Sequence, residues 1–201
     1  GLCVFFGLLI AILAERSSFE TIAKSLIFLP MAISFISAGV IWKYVYAYMP
    51  ADASQIGLLN AVLMSFGNFF NSVFNSTFKF GPYNWIILKP HNNLFLTVIL
   101  VWMYTGYAMV IFSSAIKGVP DELIEAARID GAGEIRIIIS IILPYIEGTI
   151  ITVATTIIIL SLKIIEIVWS ITGGHFDTQV IATLQFEAMF IFKNDSLAST
   201  Y

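Results

Sequence analysis

The sequence predicts an all-α, polytopic membrane protein. Of its 201 residues, 59% are hydrophobic and only 11% are charged, and the mean hydropathy is +0.91. A typical soluble domain carries about 25% charged residues, so this chain has too few to cover a soluble surface. Long apolar segments recur along the chain, and a segment of about 20 apolar residues crosses a bilayer as a helix.

The first apolar segments differ in length. Leu2 to Ala14 is shorter than the roughly 20 residues that a bilayer requires, so we expect the tail of a longer membrane helix and a chain that is a fragment. Glu15 to Lys24 is predicted as a short polar connector. Ser25 to Tyr48 is predicted as the first full span, with a kink at Pro30 and interfacial aromatic residues at its far end.

The segment from Met49 to His91 lies between two predicted spans. Gln55 to Phe70 is apolar at helical spacing, but its glycine and asparagine residues favour an interfacial or half-buried helix over a span. Residues 71–91 are rich in Asn, Ser, Gly, Pro and aromatic residues and predict an ordered extracytoplasmic loop. Both a plain surface loop and a contact with a soluble partner stay open, with the plain loop favoured.

Asn93 to Ile116 is predicted as the second full span, and the one long polar interval, residues 117–144, follows it. Pro120 suits the first helical position, and Asp121 suits the first turn, where the helix dipole favours negative charge. Gly131 can take the left-handed conformation that ends a helix. The interval therefore predicts a short helix, a turn and a second helix. Two interpretations of this interval stay open: an element that enters a cleft of another protein, or a solvated connector between two membrane helices.

The third span is predicted from Tyr145 to about Ile165, opened by Pro144. Within residues 166–180, Thr172-Gly173-Gly174 predicts a turn. Ile181 to Phe192 is apolar but short, and Lys193-Asn194-Asp195 precedes what we expect to be a last helix.

The polar interval resembles a known signature. Glu125-Ala126-Ala127, Gly131, Ile141 and Leu143-Pro144 have the residue types and spacing of the EAA signature in permease subunits of bacterial ABC importers. Other motifs extend the resemblance over nearly the whole chain. They resemble the carbohydrate-uptake branch of these permeases, and within that branch the chain looks most like the alpha-glucoside permeases. These motifs are Phe28-Leu29-Pro30, Gly39-Val40-Ile41-Trp42, Gln55-Ile56-Gly57-Leu58-Leu59-Asn60, Lys117-Gly118-Val119-Pro120, Leu162-Lys163 with Glu166, and Thr172-Gly173-Gly174. Two departures are Glu166, where the family often has Asp, and His175-Phe176, where Pro is frequent.

The resemblance implies the type I ABC importer permease fold (MetI-like), with residues 1–201 as one transmembrane domain and residues 117–144 as its cytoplasmic coupling loop. Counting Lys and Arg on the two sides gives a tie, so the orientation rests on the resemblance. The implied ATPase-coupling residues are Glu125, Ala126, Ala127, Asp130, Gly131, Leu143 and Pro144.

The resemblance also implies partners and a location. An ABC ATPase subunit would bind the ATP and Mg²⁺, so this chain itself would hold no cofactor. A second permease would complete a heterodimer, and a periplasmic or lipid-anchored solute-binding protein would deliver a sugar. The implied location is the lipid bilayer of the bacterial inner membrane, crossed several times.

Polar residues in the third span predict a translocation path. Thr149, Thr152, Thr156, Lys163 and Glu166 recur mainly at spacings of three, four and seven, which places them on one helical face. Intramembrane ionisable residues usually face a water path or one another, so we hypothesise that this face lines the path and that Lys163 pairs with Glu166. The alternative is that the threonines bond back to their own helix and that the pair is interfacial.

Aromatic residues of the second span are further candidates for the path. Trp102 and Tyr107 could stack on a sugar ring, although anchoring or packing a helix is the commoner role.

Several other functions lack support in the sequence. No Gly-rich loop precedes Lys-Ser/Thr, so we expect no ATP binding by this chain, and no hydrolase or zinc-protease motif indicates an enzyme. His91 and His175 are isolated, and the single cysteine, Cys3, can form neither an internal disulfide nor a cysteine-based zinc site. A net charge of −3 without a basic tract does not suggest nucleic acid. A permease for another solute and a non-transporting membrane scaffold stay open.

Overall fold

The computed structural model describes residues 1–15, 19–50, 53–54, 56–74, 77–78 and 80–200. Their regular secondary structure is helical, with no strand in these ranges, which confirms the all-α prediction. Contacts divide the chain into two compact units. Unit 1 comprises Gly1–Ile33 and Leu100–Ser161, and unit 2 comprises Ser34–Ile99 and Leu162–Tyr201. The assignment of residues 1–201 to one transmembrane domain stays a prediction.

The helices are numbered in chain order. They are α1 Leu2–Ala14, α2 Glu20–Phe28, α3 Phe35–Val45, α4 Leu58–Phe74, α5 Asn92–Lys117, α6 Asp121–Ile129, α7 Glu134–Tyr145, α8 Glu147–Leu162, α9 Glu166–Ile171, α10 Ile181–Ile191 and α11 Asp195–Ala198. A 3₁₀ turn, Leu29–Ala32, follows α2. Helices α7 and α10 each contain a π turn, at Ile138–Ile142 and Glu187–Ile191.

Helix α5 is the clearest membrane-spanning candidate. By length and composition it is the one described helix that is long and apolar enough to cross a membrane alone. Two bent pairs, α2 with its 3₁₀ turn and α3, and α7 with α8, qualify if each pair is one span, which gives up to three candidates. The predicted second span, Asn93 to Ile116, therefore matches α5 closely.

The predicted first span is wrong as a single kinked helix. Helix α2 already begins at Glu20, inside the expected polar connector, and Pro30 lies in the 3₁₀ turn. The break falls after it, where Ile33 and Ser34 are extended. The Ser34 hydroxyl oxygen then accepts a hydrogen bond from the Ser37 N–H at 3.2 Å and caps α3. A serine N-cap satisfies an orphan donor of a new helix, so the chain restarts here instead of bending at proline.

Helix α4 exists as predicted but has different bounds. It runs from Leu58 to Phe74, so the predicted loop at 71–91 begins too early. Gln55, the predicted start, lies outside the described residues, as do three positions of that loop. An interfacial location for α4 stays a prediction.

The predicted third span also starts in a different place. Pro144 lies inside α7, and the helix axis bends by 69° between α7 and α8. The π turn directly precedes Pro144, and π turns and prolines are the usual causes of helix irregularity. Helix α8 ends at Leu162, and a separate helix, α9, follows it. Thr172-Gly173-Gly174, directly after α9, forms the turn predicted there.

Close helix packing in unit 2 depends on Gly39. A Cβ added there would lie 1.8 Å from the Ser170 hydroxyl oxygen, so only glycine lets α3 approach α9 this closely. Gly39 begins one of the motifs that carry the family resemblance, and this close packing explains why that position is glycine.

Asn60 organises the chain around α4. Its side chain is fully buried, and its Nδ2 donates to the carbonyl oxygens of Ala47 and Tyr83 at 3.0 and 2.9 Å. Its Oδ1 accepts from the Tyr83 N–H and from Trp85 Nε1 at 3.0 and 3.1 Å. The side-chain amide of Asn60 therefore connects the segments before and after α4. The sequence analysis did not identify this role.

Candidate functional site

Helix α6 lies on the surface of unit 1. None of its residues is buried. Pro120 is its N-cap, with φ −59° and ψ 131°, and the helix begins one residue later than predicted. Asp121 and Glu122 occupy the first turn, as expected, where they interact favourably with the helix dipole.

The two faces of α6 differ. Ile124 and Ala127 pack against a buried cluster formed by Val119, Ile137, Ile142 and Ile146. On the other face, Glu125 and Ala126 are exposed, and the side chain of Ile129 is 86% exposed. Helix α6 is therefore held by packing of its inner face. Its outer face stays exposed and includes small and apolar side chains.

Gly131 forms the turn that ends α6. Its φ is +80°, the left-handed region predicted from the sequence, whereas the space around its Cα is open, with nothing within 4 Å of an added Cβ. Its N–H donates to the Arg128 carbonyl at 3.0 Å, and the next N–H, of Ala132, donates to Ala127 at 2.9 Å. Backbone conformation, not crowding, therefore requires glycine at this position.

Arg128 and Glu134 join the two sides of this turn. The Arg128 Nε–H donates to Glu134 Oε1 at 3.1 Å, with both side chains about half exposed. Sequence reasoning gave this pair no role. The available signal was a pair of opposite charges on either side of a predicted glycine turn.

The remaining signature positions are spread along the interval. Asp130 is the exposed C-cap of α6. Leu143 and Pro144 lie in the last turn of α7, whereas Glu134, in its first turn, contacts α6. The structure thus brings Glu125 to Gly131 together on one element and places Leu143 and Pro144 at the other end of the next helix.

A charged cavity of about 540 Å³ lies beside α6 in unit 1. Its ionisable lining residues are Glu15, Lys117, Asp121, Arg128 and Glu134. The cavity separates the end of α5 from the inner side of α6 and the start of α7. Asp121 and Arg128 of α6 therefore face the same cavity as Glu15 and Lys117.

Two residues of the cavity lining, Glu15 and Lys117, belong to a cluster of charged and polar side chains. Lys24 donates to Glu15, to Ser113 and, at 2.5 Å, to Glu20. Lys117 contacts Glu20 at 2.5 Å and Glu15 at 3.5 Å. Sequence reasoning treated Glu15 to Lys24 as a plain connector, because the partners on α5 are about ninety residues away in the sequence.

The predicted polar face of the third span is only partly formed. The hydroxyl groups of Thr152 and Thr156 donate to the carbonyls of Gly148 and Thr152, at 2.9 and 2.8 Å. These bonds match the alternative that threonines bond back to their own helix. Thr149, one turn earlier, is half-buried in α8.

The predicted Lys163–Glu166 pair is wrong for the chain as described. Helix α8 ends at Leu162 and α9 begins at Glu166, so the two residues share no helical face. Among the described residues Lys163 makes no ion pair and is exposed, and Glu166 accepts a hydrogen bond from the Ile165 N–H at 3.3 Å. The end of the helix removes the spacing on which the prediction depended.

Trp102 and Tyr107, both on α5, have different surroundings. Trp102 lines a cavity of about 450 Å³ in unit 1 together with residues of α1 and α2 and with Thr105. Tyr107 is half-buried and is not among the described residues of that lining. In the part of the chain that the structure describes, no group of His, Cys, Asp and Glu is placed to hold a metal ion.

Comparison with known proteins gives a consistent result. The profile of a family described as the inner membrane component of binding-protein-dependent transport systems matches residues 4–194. The osmoprotective compounds uptake permease protein of Synechocystis sp. is 48% identical over 200 residues, which cover 100% of this chain and 67% of that protein. The alpha-glucoside transport system permease protein of Rhizobium meliloti is 50% identical over 190 residues, which cover 94% and 53%.

A solved structure supports the fold. A bacterial ABC transporter that imports the acidic polysaccharide alginate contains a chain that matches with a TM-score of 0.73 and 17% identity, over 97% of this chain and 64% of that one. This match confirms the predicted permease fold and, at such low identity, carries nothing further. The chain spans between about half and two thirds of the length of these curated relatives.

Proposed function

Because this chain belongs to the family of inner membrane components of binding-protein-dependent transport systems, we propose that it is a permease subunit of a bacterial ABC importer for sugars of the alpha-glucoside type. The observation that carries this proposal is the free outer face of α6, which coincides with the EAA signature. The similarity to the Rhizobium meliloti alpha-glucoside permease supports the substrate class.

In the proposed mechanism, α6 docks on an ATPase subunit. Ala126 leaves the helix surface nearly bare, and exposed Ile129 offers apolar area to a cleft in the partner. Closure of the ATPase subunits around ATP moves α6, and the membrane helices alternate between inward-open and outward-open states. Shifting such an equilibrium from 1:99 to 99:1 requires the partner to favour one state by about 5.5 kcal/mol.

The proposed assembly has further members. A second permease completes a heterodimer in the inner membrane, which both chains cross several times. A periplasmic or lipid-anchored binding protein delivers the sugar on the face opposite α6. The alginate transporter has been solved with an oligosaccharide-bound periplasmic protein, which supports a partner of this kind.

The proposed path retains all seven predicted residues. Glu166 and Lys163 enter it as separate groups, because they form no pair. The other candidates are Thr149, Thr152, Thr156, Trp102 and Tyr107. For the threonines, a hydroxyl that bonds back to the helix can still accept a hydrogen bond from a sugar.

A second candidate substrate class follows from the other relative. The Synechocystis protein is named for uptake of osmoprotective compounds and covers the whole of this chain. Uptake by the reconstituted complex distinguishes the two substrate classes. The panel contains alpha-linked di- and trisaccharides, beta-linked disaccharides and a zwitterionic osmoprotectant. ATP-dependent uptake of the alpha-linked sugars is expected, and absence of uptake for every compound would support a non-transporting scaffold.

A further inference from the structure

We propose that Glu15, Glu20, Lys24, Ser113 and Lys117 form a positioning cluster that transmits movement of α6 to the membrane helices. The proposal rests on the proposed function, because it assumes that an ATPase moves α6. None of these residues belongs to the EAA signature. They join the ends of α1, α2 and α5 at one place.

Lys24 is the centre of the cluster. An ammonium group has three protons to donate, and Lys24 has three acceptors, on Glu15, Glu20 and Ser113. The side chains of Lys24 and Glu15 are each only 16% exposed. Removal of Lys24 would leave the poorly solvated Glu15 carboxylate with fewer partners and take away the donor that contacts all three of these side chains.

Lys117 connects the cluster to the docking element. It is the last residue of α5 and contacts Glu20 and Glu15. Only residues 118–120 separate it from α6, and Val119 is buried under that helix. A displacement of α6 must therefore reach the end of α5 through a short, anchored linker.

The charged cavity determines how this displacement can act. Glu15 and Lys117 line it together with Asp121 and Arg128 of α6. A cavity of about 540 Å³ therefore lies between the charged groups of α6 and those at the ends of α1 and α5. Transmission of the movement of α6 to α1 and α2 then depends on the cluster, which connects the end of α5 to these two helices. Without the cluster, α5 would move alone.

A purely structural role gives a different expectation. If the cluster only stabilises the fold, its loss lowers the amount of complex, and sugar import and ATP hydrolysis fall together. If it transmits movement, the complex still assembles and hydrolyses ATP, but less sugar is imported for each ATP. The ratio of sugar imported to ATP hydrolysed therefore distinguishes the two roles.

The test uses the complete complex in proteoliposomes, with sugar import and ATP hydrolysis measured on the same preparation. Lys24→Met keeps the length of the side chain and removes its charge. We expect ATPase association to persist and the ratio to fall by roughly tenfold, within the range of measured coupling effects. Lys43→Met, at an exposed lysine without an ion pair among the described residues, is the control and should leave the ratio unchanged.

Glu20→Gln gives the second measurement, in case Lys24→Met yields no complex. Glu20 is the more exposed acid, so its loss perturbs folding less and should still lower the ratio. If the wild-type complex imports sugar and the recovered variants have an unchanged ratio of sugar imported to ATP hydrolysed, the cluster proposal alone is overturned. A wild-type complex that imports none of the sugars overturns the proposed function, and the cluster proposal with it.

Discussion

Arg128 and Glu134 form an ion pair, with Nε and Oε1 3.1 Å apart, that joins the end of α6 to the start of α7. Between them the chain turns at Gly131 with a φ of +80°. The pair therefore bridges the glycine turn and links the end of α6 to the start of α7.

The first prediction concerns the Arg128–Glu134 pair. Exposed ion pairs contribute about 0.2–1 kcal/mol, so Arg128→Gln should speed hydrogen exchange of the backbone N–H groups of Gly131 and Ala132 by roughly 1.4- to 5-fold. The effect should shrink in high salt because screening weakens the pair. Arg136→Gln, an exposed arginine without an ion pair within the described ranges, is the control. Equal exchange in the two variants would contradict the prediction.

The second prediction concerns the outer face of α6. Ala126→Arg places a long charged side chain on the exposed surface where the ATPase is proposed to dock. Membrane insertion should persist, because no contact within the chain is lost, while binding of the ATPase weakens by about 2 kcal/mol or more, as for a central interface position. Co-purification and titration of the ATPase measure this. Ala126→Ser keeps the surface small and should bind normally; equal binding by both variants would rule out docking on this face.

The third prediction concerns the contact of Gly39 with Ser170. Gly39→Ala forces a methyl group to 1.8 Å from the Ser170 hydroxyl oxygen, and overpacking of this kind costs about 1–3 kcal/mol. The thermal stability of the purified protein should fall, and Ser170→Gly should restore part of it. Gly148→Ala is the matched control: it also lies in a helix, but with nothing within 4 Å. That change should be neutral or stabilise by up to about 1 kcal/mol. A stable Gly39→Ala variant would refute the packing.

The fourth prediction concerns Asn60. Asn60→Ala removes four hydrogen bonds, which join Asn60 to Ala47, Tyr83 and Trp85. A hydrogen bond contributes about 0.5–1.5 kcal/mol net, so the segment after α4 should become sensitive to limited proteolysis. Asn68→Ala, at an exposed position of the same helix, should leave cleavage unchanged. Similar cleavage of both variants would show that Asn60 does not hold the segment.

The fifth prediction concerns Lys163 and Glu166. Because they form no ion pair in the described chain, the effects of Lys163→Ala and Glu166→Ala on sugar uptake should add in the double variant. Uptake at matched expression measures this. An interaction energy above about 0.5 kcal/mol would indicate that the two groups meet during transport. Unchanged uptake in both single variants would remove them from the proposed path.

Local chemistry explains what the sequence predicted correctly. The low charge content indicated a membrane protein, and the long apolar run indicated α5. The turn at Gly131 and the acidic first turn of α6 depend on residues within a few positions of one another, so their conformations can be predicted without a tertiary structure. The same locality explains why the signature on α6 and α7 is visible in the sequence, since its fixed residues lie within one short interval.

Errors arose wherever a nonlocal contact or a helix end decided the outcome. The Lys163–Glu166 pair assumed a helix that continues, but α8 ends between them. The polar connector at Glu15 gave no sign that Ser113 and Lys117 would lie beside it. Asn60 was only one of several amides in an apolar segment until the fold placed Tyr83 and Trp85 against it.

The amino-acid sequence by itself determined the membrane class, the central span α5 and the acid-led helix α6, because hydropathy and helix termini are encoded by neighbouring residues. Tertiary structure alone decided which charges meet around Lys24, why Gly39 is glycine, and that α6 keeps one face free. The physical reason is that these features depend on distances between segments far apart in the chain, and packing in three dimensions sets those distances.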